Sequence, residues 1–308
     1  MNILVTGGAG YIGTELIEAL VNDDQINKVV VYDNLSRKNY NLFLFHKLPG
    51  EKVEFIEGEL LDSRRLKSVL QNIDIVIHLA ARVTTPFASQ DPHYFEQVNH
   101  WGTAELVYAI EESNVKQLIY ISSGSVYGFS ETTMDESAVP DPKTYYGVSK
   151  KRGEEHVERL MDKINTQVIR LGNVYGFSPS MRFDAVINRF MMDANFNNRI
   201  SIHGSGKQRR PFIHVDKVVS ALQQTLHREI PSGTYNLVDK NLSVLDLVET
   251  MSEIYPSMET LYINQHLDLM ELRIEPESAL MQYVSLPSSD LFAELKEFKG
   301  HFAFHPVG

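Results

Sequence analysis

Cysteine is absent from all 308 residues, which excludes disulfides and thiolate catalysis. Long apolar runs are absent as well, so no segment is expected to span a bilayer. The opening stretch MNILVTGGAG has no basic region followed by an apolar one and is not read as a signal peptide. A cytoplasmic protein with no membrane partner is the expectation. Positive charge is scarce: Lys+Arg number 29 against 40 Asp+Glu, a formal net charge of −11. That argues against a nucleic-acid partner, because phosphate backbones demand clustered cations. A small anionic ligand needs only one or two local arginines. There is no internal repeat and no low-complexity linker. The composition, 43% hydrophobic and 22% charged, is ordinary for a folded chain with a sizeable core.

Short β-branched runs alternate with helical patterns through the first half. Residues 2–5, 28–33, 53–58, 74–81 and 117–123 read as strands, and 167–176 as one more. Helices are expected after Thr6, over 62–70, over a long 92–112 and over 144–161. The strands are nearly continuous apolar runs, the pattern of a parallel sheet covered on both faces. Strand–helix alternation predicts an α/β fold of the Rossmann type, a doubly wound parallel sheet with a smaller C-terminal α/β substrate lobe. The expected division is 1–172 and 173–308, with a segment near 211–238 rejoining the first part. Past Gly176 the rhythm breaks. A helix near 183–196, a strand at 233–238 and a helix at 243–255 are expected, and the remainder reads as irregular.

TGGAGYIG lies between the first strand and first helix, with glycines at 7, 10 and 13. Glycine permits a tight turn and close approach to a pyrophosphate, whose charge suits a helix N-terminus. Asp33 ends the next strand, twenty residues past Gly13. An acid there can accept from an adenosine ribose and repel a 2′-phosphate, which favours NAD over NADP. Arg37 and Lys38 stand close by and could serve such a phosphate.

These motifs, with YDNLS, HLAA, VNHWGT, SSGSVYG, YYGVSK, RLGNVYG and QRRPFIHVDKV in that order, resemble the extended short-chain dehydrogenase/reductases, the NAD-dependent nucleotide-sugar epimerases and dehydratases. The resemblance covers roughly residues 1–255. It implies Gly7, Gly10, Tyr11 and Ile12 at the pyrophosphate and Asp33 and Asn34 at the ribose. Glu59 and Leu60 would lie at the adenine, with Glu59 where the family usually has Asp. Leu79, Ala80 and Ala81 would line the way to the nicotinamide, and Asn99 would support the site as one of the cofactor-binding residues. It further implies Tyr146 and Lys150 as the catalytic pair, both also touching the cofactor, with Ser123 at the reacting hydroxyl. Thr84, Ser123, Gly124, Asn173 and Arg210 would meet a nucleotide-sugar substrate, with Arg209 as the alternative if the register differs by one.

Tyrosine alone is a poor base, with a pKa of about 10. A nearby ammonium and a positive nicotinamide ring favour the phenolate and bring it toward neutrality. Residues 146 and 150 are one helical turn apart, on one face. Tyr145 points off that face and is assigned to packing or the substrate mouth. Family 4,6-dehydratases carry an acidic pair directly after the active-site Ser/Thr; here stand Gly124 and Ser125, which disfavours dehydration. C4 epimerisation of a UDP-hexose through a 4-keto sugar needs no further group, and small Gly124 is compatible with room to turn the ring. A dehydratase, a net oxidoreductase of the same family and a non-enzymatic dinucleotide sensor are the alternatives. Arg273 is the only stand-in for the family's last phosphate contact, and the C-terminus reads as shortened. His301 and His305 lack a third ligand, so no metal is expected. The helices at 92–112 and 144–161 imply, by the resemblance, a homodimer.

Overall fold

Runs such as KVVVYD and QLIYISS have no polar alternation, so both their faces need cover. The structure, a computed structural model, describes residues 1–45, 47–83, 91–264 and 271–304. Its strands are β1 Asn2–Thr6, β2 Lys28–Asp33, β3 Val53–Glu57, β4 Ile75–His78, β5 Gln117–Ser123, β6 Thr133–Met134, β7 Asn165–Leu171, β8 Asn173–Tyr175, β9 Arg199–His203, β10 Arg209–His214, β11 Gly233–Leu237, β12 Lys240–Ser243, β13 Glu259–Ile263 and β14 Arg273–Ile274. Its α-helices are α1 Tyr11–Val21, α2 Asn41–Leu44, α3 Ser63–Val69, α4 Pro92–Phe95, α5 Gly102–Glu111, α6 Tyr145–Glu158, α7 Val186–Asn197, α8 Val215–His227, α9 Val244–Ile254 and α10 Leu291–Gly300. None of the described helices is long and apolar enough to cross a membrane.

Seven strands form one parallel sheet in the order β11-β7-β5-β4-β1-β2-β3. Strand parity sorts the core. Ile3, Val5, Val29, Val31, Ile75 and Ile77 pack with Leu16, Ile17 and Leu20 of α1 and Val218 and Leu222 of α8. Leu4, Val30, Val76 and Leu118 face Leu66 of α3, Leu106 and Ile110 of α5 and Val157 of α6. The chain winds from β1 out to β3, then returns to place β4 on the other side of β1. That reversal opens a crevice at the C-terminal ends of β1 and β4, where ligands of such sheets bind.

Several elements differ from the sequence expectation. The run at 74–81 is a strand only to His78, and Leu79–Ala81 turn away as coil. The run at 167–176 is two strands in two sheets. At Gly172 the backbone passes against Pro211, whose carbonyl carbon would be 3.1 Å from an added Cβ. Beyond it β8 pairs with β10, which pairs with β12, in a separate sheet. PFIHV therefore stays in the small sheet, while α8 packs on α1 and β11 pairs with β7. The helix expected over 92–112 contains a π-helical stretch, Glu96–Trp101, between α4 and α5. The tail is also more ordered than expected: β13 pairs with β9, and α10 packs Leu295 and Phe298 with α7 and α9. His301 stacks on Phe177, with ring centroids 3.9 Å apart; His305 lies outside the described residues.

A buried charge network fastens α10. Lys217 reaches Asp239 and Glu294, each at 2.8 Å, and Lys240 reaches the same two carboxylates at 2.9 and 3.1 Å. Ser289 donates to Glu294 at 2.6 Å, and the Tyr175 hydroxyl donates to it as well. Burial works to raise the Glu294 carboxyl, but the hydrogen bonds from Lys217, Ser289 and Tyr175 and the charge of Lys240 outweigh it, holding it at about 2. A depressed carboxyl contributes stability above its unfolded value that is lost as pH falls through the folded one. The expected result is a loss of about 3 kcal/mol of unfolding free energy between pH 5 and 2 that a Glu294→Gln variant lacks. Urea titrations of both proteins across that range measure it; parallel curves would remove Glu294 from the acid response.

Candidate active site

The crevice is a cleft of about 1440 Å³ bounded by the glycine loop, the ends of β4 and β5, α6 and the small sheet. Gly7 has φ +72°, a left-handed value that favours glycine, and its N–H donates to the Tyr32 carbonyl at 2.8 Å. A Cβ on Gly7 would lie 2.6 Å from both N and Cα of Ala80, so the loop rests directly on the β4 end. Gly10 precedes the first turn of α1 and leaves it with no side-chain cap. Gly7, Gly10, Tyr11 and Ile12 line the cleft there. Uncapped N–H groups at a helix start, with glycine in place of any obstructing side chain, suit a pyrophosphate. The Tyr11 hydroxyl turns away and donates to the Gly176 carbonyl at 2.6 Å, tying α1 to the chain just after β8.

Asp33 accepts from the N–H groups of Ala9, 3.1 Å, and Leu35, 2.8 Å. Burial raises its carboxyl despite those bonds. The Asn34 amide donates to Glu59 at 2.9 Å, and Leu60 lines the wall beside it. The residue at 59 thus completes a polar corner at the end of β2 and β3. Arg37 also lines the cleft, its guanidinium drawn down first by burial and then by Arg182; Lys38 is not among the lining residues.

On the opposite wall, Thr144 caps α6 by accepting from Gly147 N–H at 3.0 Å. That cap starts the helix one residue before Tyr146. Burial raises the Tyr146 phenol, while a hydrogen bond with the Ser123 side chain and the charge of Arg182 lower it. Lys150 is 2% exposed, donates to the Ile121 carbonyl at 2.6 Å and lies 4.2 Å from the Tyr120 ring centroid. Burial pulls its ammonium down to about 7, opposed by Glu154. Ser123, Tyr146 and Lys150 all line the cleft, with Leu79, Ala80 and Ala81 facing them from the β4 end. Tyr145 is half exposed at the mouth.

Two placements correct the expectations. Gly124 does not leave open room: a Cβ there would be 2.4 Å from Cδ1 of Ile274, so the glycine admits that neighbour instead. Asn99 does not line the cleft. Its carboxamide accepts from Arg82 N–H at 2.7 Å and donates to the Arg82 carbonyl at 2.9 Å and the Ser149 hydroxyl at 3.0 Å. It braces the loop after Ala81 against α6, and the π-helical stretch that carries it turns it inward.

On the small-sheet side, Asn173 lines the cleft and donates to the Pro211 carbonyl at 3.0 Å. Arg210 lies over the Phe129 ring at 5.4 Å, its guanidinium drawn down by burial. Arg209 is engaged elsewhere, with Asp246 at 3.1 Å and the Asn241 carbonyl at 2.9 Å, so Arg210 is the arginine presented to the cleft. Arg273 pairs with Glu271. Thr84 lies outside the described residues. Sequence reasoning missed Arg182, which lines the cleft, holds Asp184 through two nitrogens at 3.2 and 2.7 Å, and bears on Tyr146. It sits in irregular chain with neither periodicity nor a motif.

The model of the NAD dependent epimerase/dehydratase family matches residues 3–237. A dTDP-D-glucose 4,6-dehydratase of Mus musculus is 33% identical over 82% of this chain and 72% of its own length. An uncharacterized UDP-glucose epimerase of Bacillus subtilis is 29% identical over 86% of this chain and 85% of its own. Among solved structures, the UDP-N-acetylglucosamine 4-epimerase from Methanobrevibacter ruminantium, in complex with UDP-N-acetylmuramic acid, has a TM-score of 0.85 and 27% identity, covering 97% of each chain. MoeE5 in complex with UDP-glucose and NAD has a TM-score of 0.81 and 28% identity, covering 97% of this chain and 98% of its own. This chain belongs to the NAD dependent epimerase/dehydratase family.

Proposed function

We propose that the protein is an NAD-dependent nucleotide-sugar epimerase that inverts C4 of a UDP-hexose through a transient 4-keto sugar. The observation that carries this is the grouping of Tyr146, Ser123 and Lys150 on one wall of the cleft with no carboxylate beside the serine. Among the described residues that line the cleft, the acids are Asp33 and Glu59 at the β2–β3 corner and Asp184, which is occupied by Arg182. Elimination of water needs its own acid and base, and that wall supplies neither.

The glycine loop fits a dinucleotide, since side chains at Gly7 or Gly13 would collide with backbone within 2.6 Å. Gly7, Gly10, Tyr11 and Ile12 would hold its pyrophosphate, Asp33 and Asn34 its ribose, and Glu59 and Leu60 its adenine. Leu79, Ala80, Ala81 and Lys150 would flank its nicotinamide half. Bound NAD supplies a reversible hydride acceptor. Tyr146 takes the proton from the sugar hydroxyl, Ser123 orients that hydroxyl, and Lys150 stabilises the phenolate. Asn173 and Arg210 suit the diphosphate, the guanidinium by paired hydrogen bonds.

The central sheet with α8 and β11 serves as the cofactor-binding part and the small sheet with α7, α9 and α10 as the substrate lobe. Exposed Trp101 on the face shared with α6 supports a homodimer, and a cytoplasmic location accords with the composition.

The test is incubation of the purified protein with UDP-glucose, UDP-N-acetylglucosamine and UDP-glucuronate, followed by NMR of the sugar ring. At least one pair of C4 isomers should interconvert without net reduction of NAD. A 4-keto-6-deoxy product overturns epimerisation in favour of dehydration, and accumulating NADH favours a net oxidoreductase.

A further inference from the structure

Three consecutive residues of β5 are each gripped by α6. Lys150 donates to the Ile121 carbonyl at 2.6 Å, the Ser122 hydroxyl donates to Glu154 at 2.5 Å, and Tyr146 shares a hydrogen bond with Ser123. Residues 146, 150 and 154 form one row along the helix, so the contacts make a ladder between helix and strand. Glu154 is the most constrained rung. It is fully buried, and Nε and Nη2 of Arg170 reach its two oxygens at 3.0 and 2.8 Å. Arg170 stands on β7 directly beside Ser122. Its remaining nitrogen donates to the Tyr127 hydroxyl at 3.0 Å, which donates to Asn236 on β11 at 2.9 Å. Glu154 and Arg170 do not line the cleft, so the chemistry proposed above makes no direct use of them.

We propose that Glu154 is a positioning residue: it pins the register of α6 on β5 and sets a negative charge one turn from Lys150 that favours the charged form of its side chain. The inference rests on the assignment of Tyr146 and Lys150 as the catalytic pair. A buried ion pair contributes little net stability, and its best-attested use is to fix a register. The groups facing Lys150 leave Glu154 as the source of negative charge. His78 on β4 is held neutral by burial, with its pKa at about 3, and burial keeps the Tyr120 phenol on β5 protonated. On α6 the Tyr146 phenol is raised, and on β7 Arg170 is positive. Burial alone would leave Lys150 readily deprotonated, and Glu154 opposes that.

Glu154→Gln keeps the shape and removes the charge. The expected result is a kcat about tenfold lower at neutral pH with KM within about twofold, and an alkaline limb moved about one pH unit toward acid. NAD content should not change. An NMR titration of lysines labelled at the ε-carbon, with Lys150 assigned by its loss in Lys150→Met, should show the same displacement without substrate. If a lone buried Arg170 prevents folding, the double variant Glu154→Gln/Arg170→Met should show that displacement too. An unchanged limb and an unchanged Lys150 titration overturn the role of Glu154. An active Tyr146→Phe variant instead defeats the catalytic assignment, so the two failures are told apart.

Discussion

Tyr146→Phe lowers kcat by roughly a thousandfold while NAD stays bound, because the substitution removes one hydroxyl and little else. The ring packs edge-on to Phe95 with centroids 6.3 Å apart, a contact phenylalanine keeps. The lost oxygen is the one bonded to Ser123, and it is the proposed acceptor of the sugar proton. Without ligand, burial keeps that phenol protonated despite the charge of Arg182, so the proposed chemistry requires further positive charge, the part proposed for Lys150 and for bound NAD. The rate should accordingly rise with pH along a limb reporting the phenol and fall along a second reporting the ammonium. Steady-state kinetics, with NAD content measured after denaturation, separate lost chemistry from lost binding. A variant retaining more than about a tenth of the parent kcat would require a different base.

Gly7→Ala should weaken NAD binding and the fold together. The φ of +72° costs any side chain about 1–2 kcal/mol, and the added methyl would meet the Ala80 backbone at 2.6 Å. Neither chain can yield cheaply, since both are backbone at the switch point of the sheet. Relieving the clash moves the loop off the β4 end and displaces the N–H groups of α1. Affinity for NAD should drop by about a hundredfold or more, and unfolding should come about 3 kcal/mol earlier. Calorimetric titration and urea unfolding measure the two effects. Near-parent affinity would mean that the loop does not hold the pyrophosphate.

Much of the central sheet was legible because each strand is an apolar run closed by a turn signal. KVVVYD and QLIYISS match β2 and β5 end to end. The passage from β7 to β8 was not, since apolar residues continue on both sides of Gly172 and no periodicity records a change of sheet. The π-helical stretch escaped notice for a related reason: one extra residue in a turn barely disturbs an apolar stripe. At the site, the glycine loop and Asp33 could be marked from spacing along single elements, whereas the Tyr146–Lys150 pair came from the family resemblance and remains a proposal. Arg182, the bracing role of Asn99 and the packing of Ile274 on Gly124 depend on segments far apart in the chain, which local pattern does not encode.

The chain crosses from the large sheet to the small one at Gly172 and again at Val238 between β11 and β12, and it returns between them where β10 runs into α8. The two outward crossings are clasped by the bond from Gly172 N–H to the Leu237 carbonyl, 3.1 Å. Crossings joined in this way tie the two sheets together at a seam. Asn173, the first residue of β8, stands directly beside that seam. A ligand seated against Asn173 would therefore be anchored where the two sheets meet.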